Sequence, residues 1–201
     1  RPAMPAYLFA TVDVDDADGY ENYKSTAPAL IEKHGGRYIV RGGANDVVEG
    51  TWPSGRIVVL EFPDFASANA FADDPDYAPI AAIRHATATS HVWIVEGPEG
   101  DANADGKHAY ILGNIRMTDP EGYKPYADQV PAVMNAAQGT YLARGGKSRS
   151  VEGGMELDRL VIVAFADMAA ARAFYDGDGY TEIKPIRIAA SDSNIVIVEG
   201  L

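Results

Sequence analysis

Three kinds of residue in this 201-residue chain have the type and position to act on a small molecule. The first is a carboxylate in an apolar run: Glu61 interrupts RIVVLEF, where burial is costly unless the charge is paired. So placed, it suits removal of a proton next to a carbonyl. Its alternative is a buried salt bridge to Arg41 or another arginine. The second kind is imidazole. Of His34, His85, His91 and His108, His91 opens an apolar strand and is the acid–base candidate; capping or a surface place is its alternative. The third kind is arginine. Arg41, Arg56 and Arg84 recur 103 positions later as Arg144, Arg159 and Arg187. The planar donor fork of Arg41 suits a carboxylate or enolate oxygen, although pairing with Glu49, retained as Glu152, would serve structure alone. For Arg56 and Arg84 a surface ion pair is the expectation.

The recurrence extends along the whole chain. Shifted by 103 residues, 6–97 aligns without a gap on 109–200, with about 35 identical pairs where chance supplies a handful. AYLFATVDVDDADGYENY matches AYILGNIRMTDPEGYKPY, and RIVVLEFPDFASANAF matches RLVIVAFADMAAARAF. A repeat this long is a whole small domain. The expected division is copy one at 1–97, a linker at 98–108 and copy two at 109–201. Features confined to one copy stand out, because a pseudo-symmetric fold does not require them. Glu61 faces Ala164 in the alignment, and Trp52 and Trp93 face Met155 and Val196.

Each copy has legible periods. YLFATVDV is β-rich; Asp18–His34 carries Tyr20, Tyr23, Ala27, Leu30 and Ile31 at helical spacing and stops at Gly35-Gly36. RYIVRGG and DVVEG read as a strand interrupted by a glycine pair, most simply a bulge or bend. The TWPSG turn leads to RIVVLEF. A helical stretch from Phe65 to Ala88 breaks at Asp73-Asp74-Pro75, and HVWIVEG closes the copy. The order β-α-β-β-α-β is the ferredoxin-like motif. Its helices cover one sheet face and leave the other in need of a partner. Strand parity turns Val58/Val161 and Phe62/Phe165 toward the helices. It places Thr11, Asp13, Glu61, His91 and Trp93, with Asn114, Arg116 and Asn194 from copy two, on the facing sheets. These polar groups suggest a partly wet cavity between the sheets, with Trp52 in a loop over its mouth. Asp13 and Arg116, aligned with each other, are expected to pair across the pseudo-dyad. Arg116, Lys147 and Arg149 are where copy two would carry chemistry of its own.

Composition excludes several classes. A net charge of −12 argues against nucleic acid. Zero cysteines remove disulfides, thiolate metal sites and a cysteine nucleophile. No apolar run reaches membrane-spanning length and the first residues lack a secretion-signal pattern, so a cytoplasmic place is expected. The histidines lack ligand spacing, and no metal is expected. Asp101, Asn103, Asp105 and Gly106 imitate the opening of a calcium loop, but position twelve is Leu112 rather than Glu; a solvated linker is the reading. No phosphate-cradling glycine motif follows a strand, and no Gly-x-Ser-x-Gly elbow is present.

GGRYIVRGG, the VVEG after it, RIVVLEFPDF, Asp-Pro-Asp-Tyr before Ile80, Arg84 and the closing VEG resemble domain-of-unknown-function family 1330, of the dimeric α/β-barrel superfamily. The resemblance implies two ferredoxin-like domains packed sheet to sheet into an intramolecular barrel, an α+β fold. It implies no reaction. The wider superfamily includes cofactor-free monooxygenases, muconolactone-type isomerases, polyketide cyclases and some haem enzymes, whose haem ligand would correspond to a residue such as His85. The resulting expectation is a cofactor-independent enzyme that removes a proton from a small carbonyl or polyketide-like compound and stabilises the enolate: an isomerase, cyclase or cofactor-free monooxygenase. Glu61 or His91 would be the base and Arg41 the anion-stabilising group, with Trp52, Trp93, Thr11, Asp13, Asn114 and Arg116 around the substrate. The alternative is a non-catalytic binding or sensing module using the same cavity. The expected partner is a small molecule, without nucleic acid or membrane, and the fused chain is open to homodimer formation.

Overall fold

A computed structural model describes residues 4–53 and 55–201. The TWPSG turn expected from the sequence includes Ser54, which lies outside the described residues. Copy one comprises β1 (Ala6–Val14), α1 (Ala17–Lys33), β2 (Arg37–Arg41), β3 (Asn45–Glu49), β4 (Arg56–Phe62), α2 (Phe65–Asp73), α3 (Tyr77–Thr87) and β5 (Ala88–Glu96). Copy two repeats the series as β6 (Ala109–Met117), α4 (Pro120–Ala136), β7 (Thr140–Arg144), β8 (Ser148–Glu152), β9 (Leu160–Phe165), α5 (Met168–Asp176), α6 (Asp178–Ala190) and β10 (Ser191–Glu199). Matching caps start the helices: Asp16 and Asp119 accept from Gly19 and Gly122, and Asp64 and Asp167 accept from Ser67 and Ala170.

The strand orders are β2-β4-β1-β5-β8 and β3-β10-β6-β9-β7. Each sheet therefore contains one strand from the other copy. This corrects the expectation of a single strand bulged at the glycine pair. At Gly42-Gly43 the chain leaves the first sheet, and β3 pairs with β10 of the second. At Gly145-Gly146 it makes the reciprocal crossing, and β8 pairs with β5. The two glycines have separate duties. Gly42 and Gly145 take φ of 71° and 68°, a region that favours glycine. Gly43 and Gly146 pass so close to the carbonyl oxygens of Glu199 and Glu96 that a Cβ would collide with them.

Burial follows the predicted parity. Leu8, Ala10, Val12, Leu60 and Phe62 pack under the first pair of helices, with Val58 beside them. Ile111, Ile115, Val163 and Phe165 do the same in copy two, with Val161 beside them. Between the sheets Tyr7, Phe9, Val59, Trp93 and Val95 meet Tyr110, Leu112, Ile162, Val196 and Val198. The linker joins this layer through Ala104, which is buried, so it is not simply solvated.

Two buried ion pairs staple the exchanged strands. Arg84 of α3 binds Glu152 of β8, and Arg187 of α6 binds both carboxylate oxygens of Glu49 of β3. Arg84 is 3% exposed and Arg187 0%, so these are not the surface pairs expected for arginines at these positions. The glutamates have a structural partner, but it is not Arg41 or Arg144. Burial alone would raise the Glu152 pKa; hydrogen bonding and charge from Arg84 outweigh it, and the net shift is downward.

Candidate functional site

The residues expected to do chemistry divide among three places. Glu61 lies at one end of the inter-sheet layer and is 8% exposed. It receives Tyr7 Oη at 2.8 Å, Arg37 Nε at 3.0 Å and Nη2 at 2.7 Å, and the Ala104 amide at 2.8 Å. Arg37 also holds Asp105 at 2.7 Å. The carboxylate thus fastens the linker over that end of the barrel, and its arginine partner is Arg37 rather than Arg41. Burial, with the Glu61 charge next, raises the Tyr110 phenol to about 12 and pushes Tyr7 up as well.

His91 lies toward the other end of the same layer. Glu61 is in register with Tyr7 and His91 with Thr11, a separation of four residues on β1, or about 13 Å. The two base candidates do not share a site. His91 is half-buried: its Nδ1 accepts the Met155 amide at 3.2 Å and its ring stacks on Trp93, with centroids 6.1 Å apart. Trp93 stacks on Phe9, and Trp52 meets Phe9 edge-on at 5.5 Å. Thr11 and Asn114 are buried in this region; Asn114 is occupied by Glu156 and Asp158 backbone atoms at 3.0 Å. The Thr11 hydroxyl and the Trp52 indole N–H have no hydrogen-bond partner among the described residues. Asp13 and Arg116 are exposed at strand ends. Arg116 pairs with Asp192 on the adjacent strand, which corrects the expectation of a pair with Asp13.

Arg41 faces the opposite side of the first sheet. There it enters a slot between sheet and helices, with a cavity of about 30 Å³ whose floor is Leu8, Ala10, Val12, Val58 and Leu60. Tyr20, Tyr23, Tyr38 and Tyr77 wall the slot, and Arg41, Arg56, Arg84 and Lys24 also line it. Arg84 is neutralised by Glu152. Arg41 donates to the Lys24 carbonyl at 2.9 Å and lies over the Tyr38 ring. Arg56 lies over the Tyr20 ring, and its Nε has no hydrogen-bond partner among the described residues. Among the described residues neither Arg41 nor Arg56 pairs with a carboxylate, although the chain carries 29 acidic residues against 17 basic ones. Gly42 makes room for this arrangement: a Cβ there would sit 2.8 Å from the Arg56 guanidinium carbon.

Tyr20, Tyr23 and Tyr38 remain phenols. Burial raises Tyr20, Tyr23 and Tyr38, and the neighbouring arginines only partly oppose it. Tyr23 and Tyr77 hydroxyls are 2.8 Å apart. One O–H satisfies the other oxygen, so the pair keeps one proton to donate. Cationic forks, a spare phenolic donor and an apolar floor are groups that can hold the oxygen of a small anion. Haem does not fit: the cavity is far too small, and His85 turns outward to Glu152 Oε2 at 2.7 Å.

Sequence reasoning included Arg41 and missed its neighbours. The signal was present, because all four tyrosines and all three arginines are retained in copy two, as Tyr123, Tyr126, Tyr141, Tyr180, Arg144, Arg159 and Arg187. Attention to one-copy features favoured Glu61, which proves to hold the linker.

The family model "Domain of unknown function (DUF1330)" matches residues 5–98 and again 108–201. No curated protein matches the sequence. Solved structures share the fold across the full length. An anthrone oxidase-like protein superimposes with a TM-score of 0.53 at 10% identity, covering 100% of this chain and 92% of its own. A candidate monooxygenase from Fusobacterium nucleatum gives 0.56 at 9% identity, covering 100% and 93%. A mutant chlorite dismutase from Candidatus Nitrospira defluvii, in complex with cyanide, gives 0.55 at 10% identity, covering 98% and 90%. At such identities the likeness extends to fold alone. No described helix is long and apolar enough to cross a membrane.

Proposed function

The chain belongs to the DUF1330 family in both halves, and from that premise we propose a cofactor-independent enzyme that stabilises the enolate of a small carbonyl compound in the first slot. The observation that carries this reading is the convergence of Arg41 and Arg56, without carboxylate partners, on an apolar cavity beside a spare tyrosine proton. In the proposed step the substrate's α-C–H bond breaks, its electron pair becomes the new C=C bond, and the carbonyl π pair moves to the oxygen. Arg41 and Arg56 hold the oxyanion, the Tyr23–Tyr77 pair donates a hydrogen bond to it, and water at the slot's mouth takes the proton. Return of a proton at another carbon gives an isomer; attack of the enolate carbon on a second carbonyl gives a ring. Preorganised charge of this kind is often the largest catalytic contribution.

A binding role without turnover is the second reading, and one observation favours it. The slot's lining contains no carboxylate and no imidazole, and the amine of Lys24 is paired with Glu21 at 3.1 Å. The two readings separate in one experiment. 2,4-Pentanedione is incubated in D2O with the protein, and loss of its α-proton NMR signal is followed. The enzyme reading expects exchange above the buffer rate that falls at least tenfold in Arg41→Met. Exchange at the buffer rate, with pentanedione bound and displaced by acetate, would leave a binding protein.

A further inference from the structure

The segment that joins the copies occurs once in the chain, and its own bonds fold it into a turn. The Asn103 side chain accepts the Asp105 amide at 2.8 Å, and the Lys107 amide donates to the Ala104 carbonyl at 3.0 Å. Gly106, between Asp105 and Lys107, takes φ of 71°, which favours glycine. Ala104 is buried and its amide is fastened to Glu61. Held in this way, the segment encloses a cavity of about 190 Å³ against β2 and the start of β6. One water needs about 10–15 Å³ of such space, so the cavity has room for a molecule of roughly ten non-hydrogen atoms.

Its lining carries both signs of charge. Arg37, Lys107 and Asp105 border it, with Ile39 and the Tyr110 ring as apolar wall. Arg37 spends Nε and Nη2 on Glu61 and Asp105, which leaves Nη1. Lys107 forms no ion pair among the described residues. Asp105 gives Oδ1 to Arg37 and keeps Oδ2. His108 is turned to the Leu201 carbonyl oxygen at 2.6 Å.

Tyr110 is the buried member of the lining. The matching phenol of copy one, Tyr7, gives its proton to Glu61 at 2.8 Å. Tyr110 is in register with Ala164, which stands where copy one has Glu61. Its hydroxyl reaches the Lys107 carbonyl at 3.4 Å, far beyond the usual length of about 2.7–2.8 Å. A hydroxyl so loosely held has its proton and its lone pairs open to a better partner.

We propose that this cavity binds a small zwitterion, an α-amino acid with an apolar side chain. Lys107 and the Nη1 edge of Arg37 hold its carboxylate, and Asp105 Oδ2 and the Tyr110 oxygen hold its ammonium. Its side chain lies against Ile39. A lining of mixed sign selects a molecule that carries both charges: a simple anion meets Asp105, and a simple amine meets Lys107. The joining segment supplies Asp105 and Lys107, so the bound molecule also braces it against the barrel. Tyr38 borders both this cavity and the first slot, but Arg41 lines the first slot alone.

L-Valine, isovalerate and isobutylamine share a branched carbon frame and differ in charge. Each is titrated calorimetrically into the full chain. L-Valine is expected to saturate a site, at unchanged affinity in Arg41→Met. In Arg41→Met, where anion binding in the first slot does not enter, isovalerate and isobutylamine are expected to bind at least tenfold more weakly. The affinity for L-valine is expected to fall at least tenfold in Lys107→Met and in Asp105→Asn. Lys107 is half-buried and makes no ion pair among the described residues, so its substitution decides the test where Asp105→Asn loosens the segment. Absence of saturable L-valine binding, equal binding in Lys107→Met, or isovalerate as tight as L-valine in Arg41→Met overturns the inference. Loss of L-valine binding in Arg41→Met also overturns it, by moving the ligand to the first slot.

Discussion

The first slot and its counterpart in copy two share one arrangement and differ in their small and polar residues: Ala10 and Lys24 of the first correspond to Gly113 and Ala127, while Arg41 and Arg56 recur as Arg144 and Arg159. Arg41 and Arg56 line the first; in the second, Arg187 is fully engaged and the space opens over Gly113 instead. A similar divergence separates the helix pairs above them. In copy one Asp74 joins Lys33 at 3.2 Å and His34 at 2.7 Å. The corresponding residues of copy two are Gly177, Ala136 and Ala137, and an apolar surface groove takes their place. Both halves keep the framework, with its strand exchange and paired Arg–Glu staples, while Lys24, Lys33, His34 and Asp74 of copy one have alanine or glycine as counterparts in copy two. The difference teaches that both halves keep one frame, arginines and tyrosines included, and vary the small and polar residues around it.

The largest expected effect concerns what the halves share. Removing one partner of a buried ion pair costs about 3–5 kcal/mol. Glu49→Ala and Glu152→Ala are each expected to lower unfolding free energy in urea on that scale. The Glu49 change should cost more, because Arg187 is wholly buried and uses both carboxylate oxygens. Equal, sub-kilocalorie losses would break the idea that exchanged strands are stapled from within.

Acid is expected to act on copy one first. Asp74 sits at about 2 instead of its ordinary 3.8, held down by the Asp76 amide, then by His34 and Lys33. A carboxylate with a depressed folded pKa contributes stability that is fully present above 3.8 and is lost as pH falls toward 2. Glu152, shifted in the same direction, adds to the loss below its ordinary 4.5. Hydrogen exchange on α1 and α3 should therefore accelerate between about pH 4 and 2 more than on α4 and α6, where Gly177 stands in place of Asp74. Equal acceleration would contradict the asymmetry.

The smallest effect sharpens the reading of Gly113. Glycine inside a regular element costs roughly 0.5–1 kcal/mol relative to alanine. Gly113→Ala is expected to stabilise the protein by about that amount, and Ala10→Gly to destabilise it by about the same. For a chain of this size that is a shift of about 1–4 °C in Tm. Destabilisation by Gly113→Ala would mean that the backbone needs glycine there after all.

Much of this fold is legible in the sequence, because period and repeat act locally. The helix break at Asp73–Pro75 and the helix-facing parity of Val58 and Phe62 follow from spacing alone. The strand exchange does not. The hydrophobic pattern of β3 says that it is a strand, but which sheet edge it joins depends on tertiary pairing across about 150 residues. The Gly-Gly pair showed that something special happens there without showing which way the chain goes. For the site, residue type singles out Arg41 as able to hold an anion, and the structure puts it in the lining of the first slot. Its companions were obscured because tyrosines at helical spacing look like core, and here Tyr20, Tyr23 and Tyr77 are both core and slot wall. Glu61 shows how far a one-copy acid can be read. A buried acid in one copy suggests chemistry, yet its four hydrogen bonds already occupy it, and the linker that it fastens occurs once in the chain.

The central claim is that Arg41 and Arg56 make the first slot a receptor for small organic anions. Its most direct test is calorimetric titration of acetate into the wild-type chain, Arg41→Met and Arg56→Met. Losing a charge-assisted hydrogen bond is worth about 1.5–3 kcal/mol, or roughly a 10- to 150-fold weaker Kd. The account predicts saturable binding that weakens on this scale in each variant while Tm is held within a few degrees. Acetate binding of the same strength in all three proteins would contradict it.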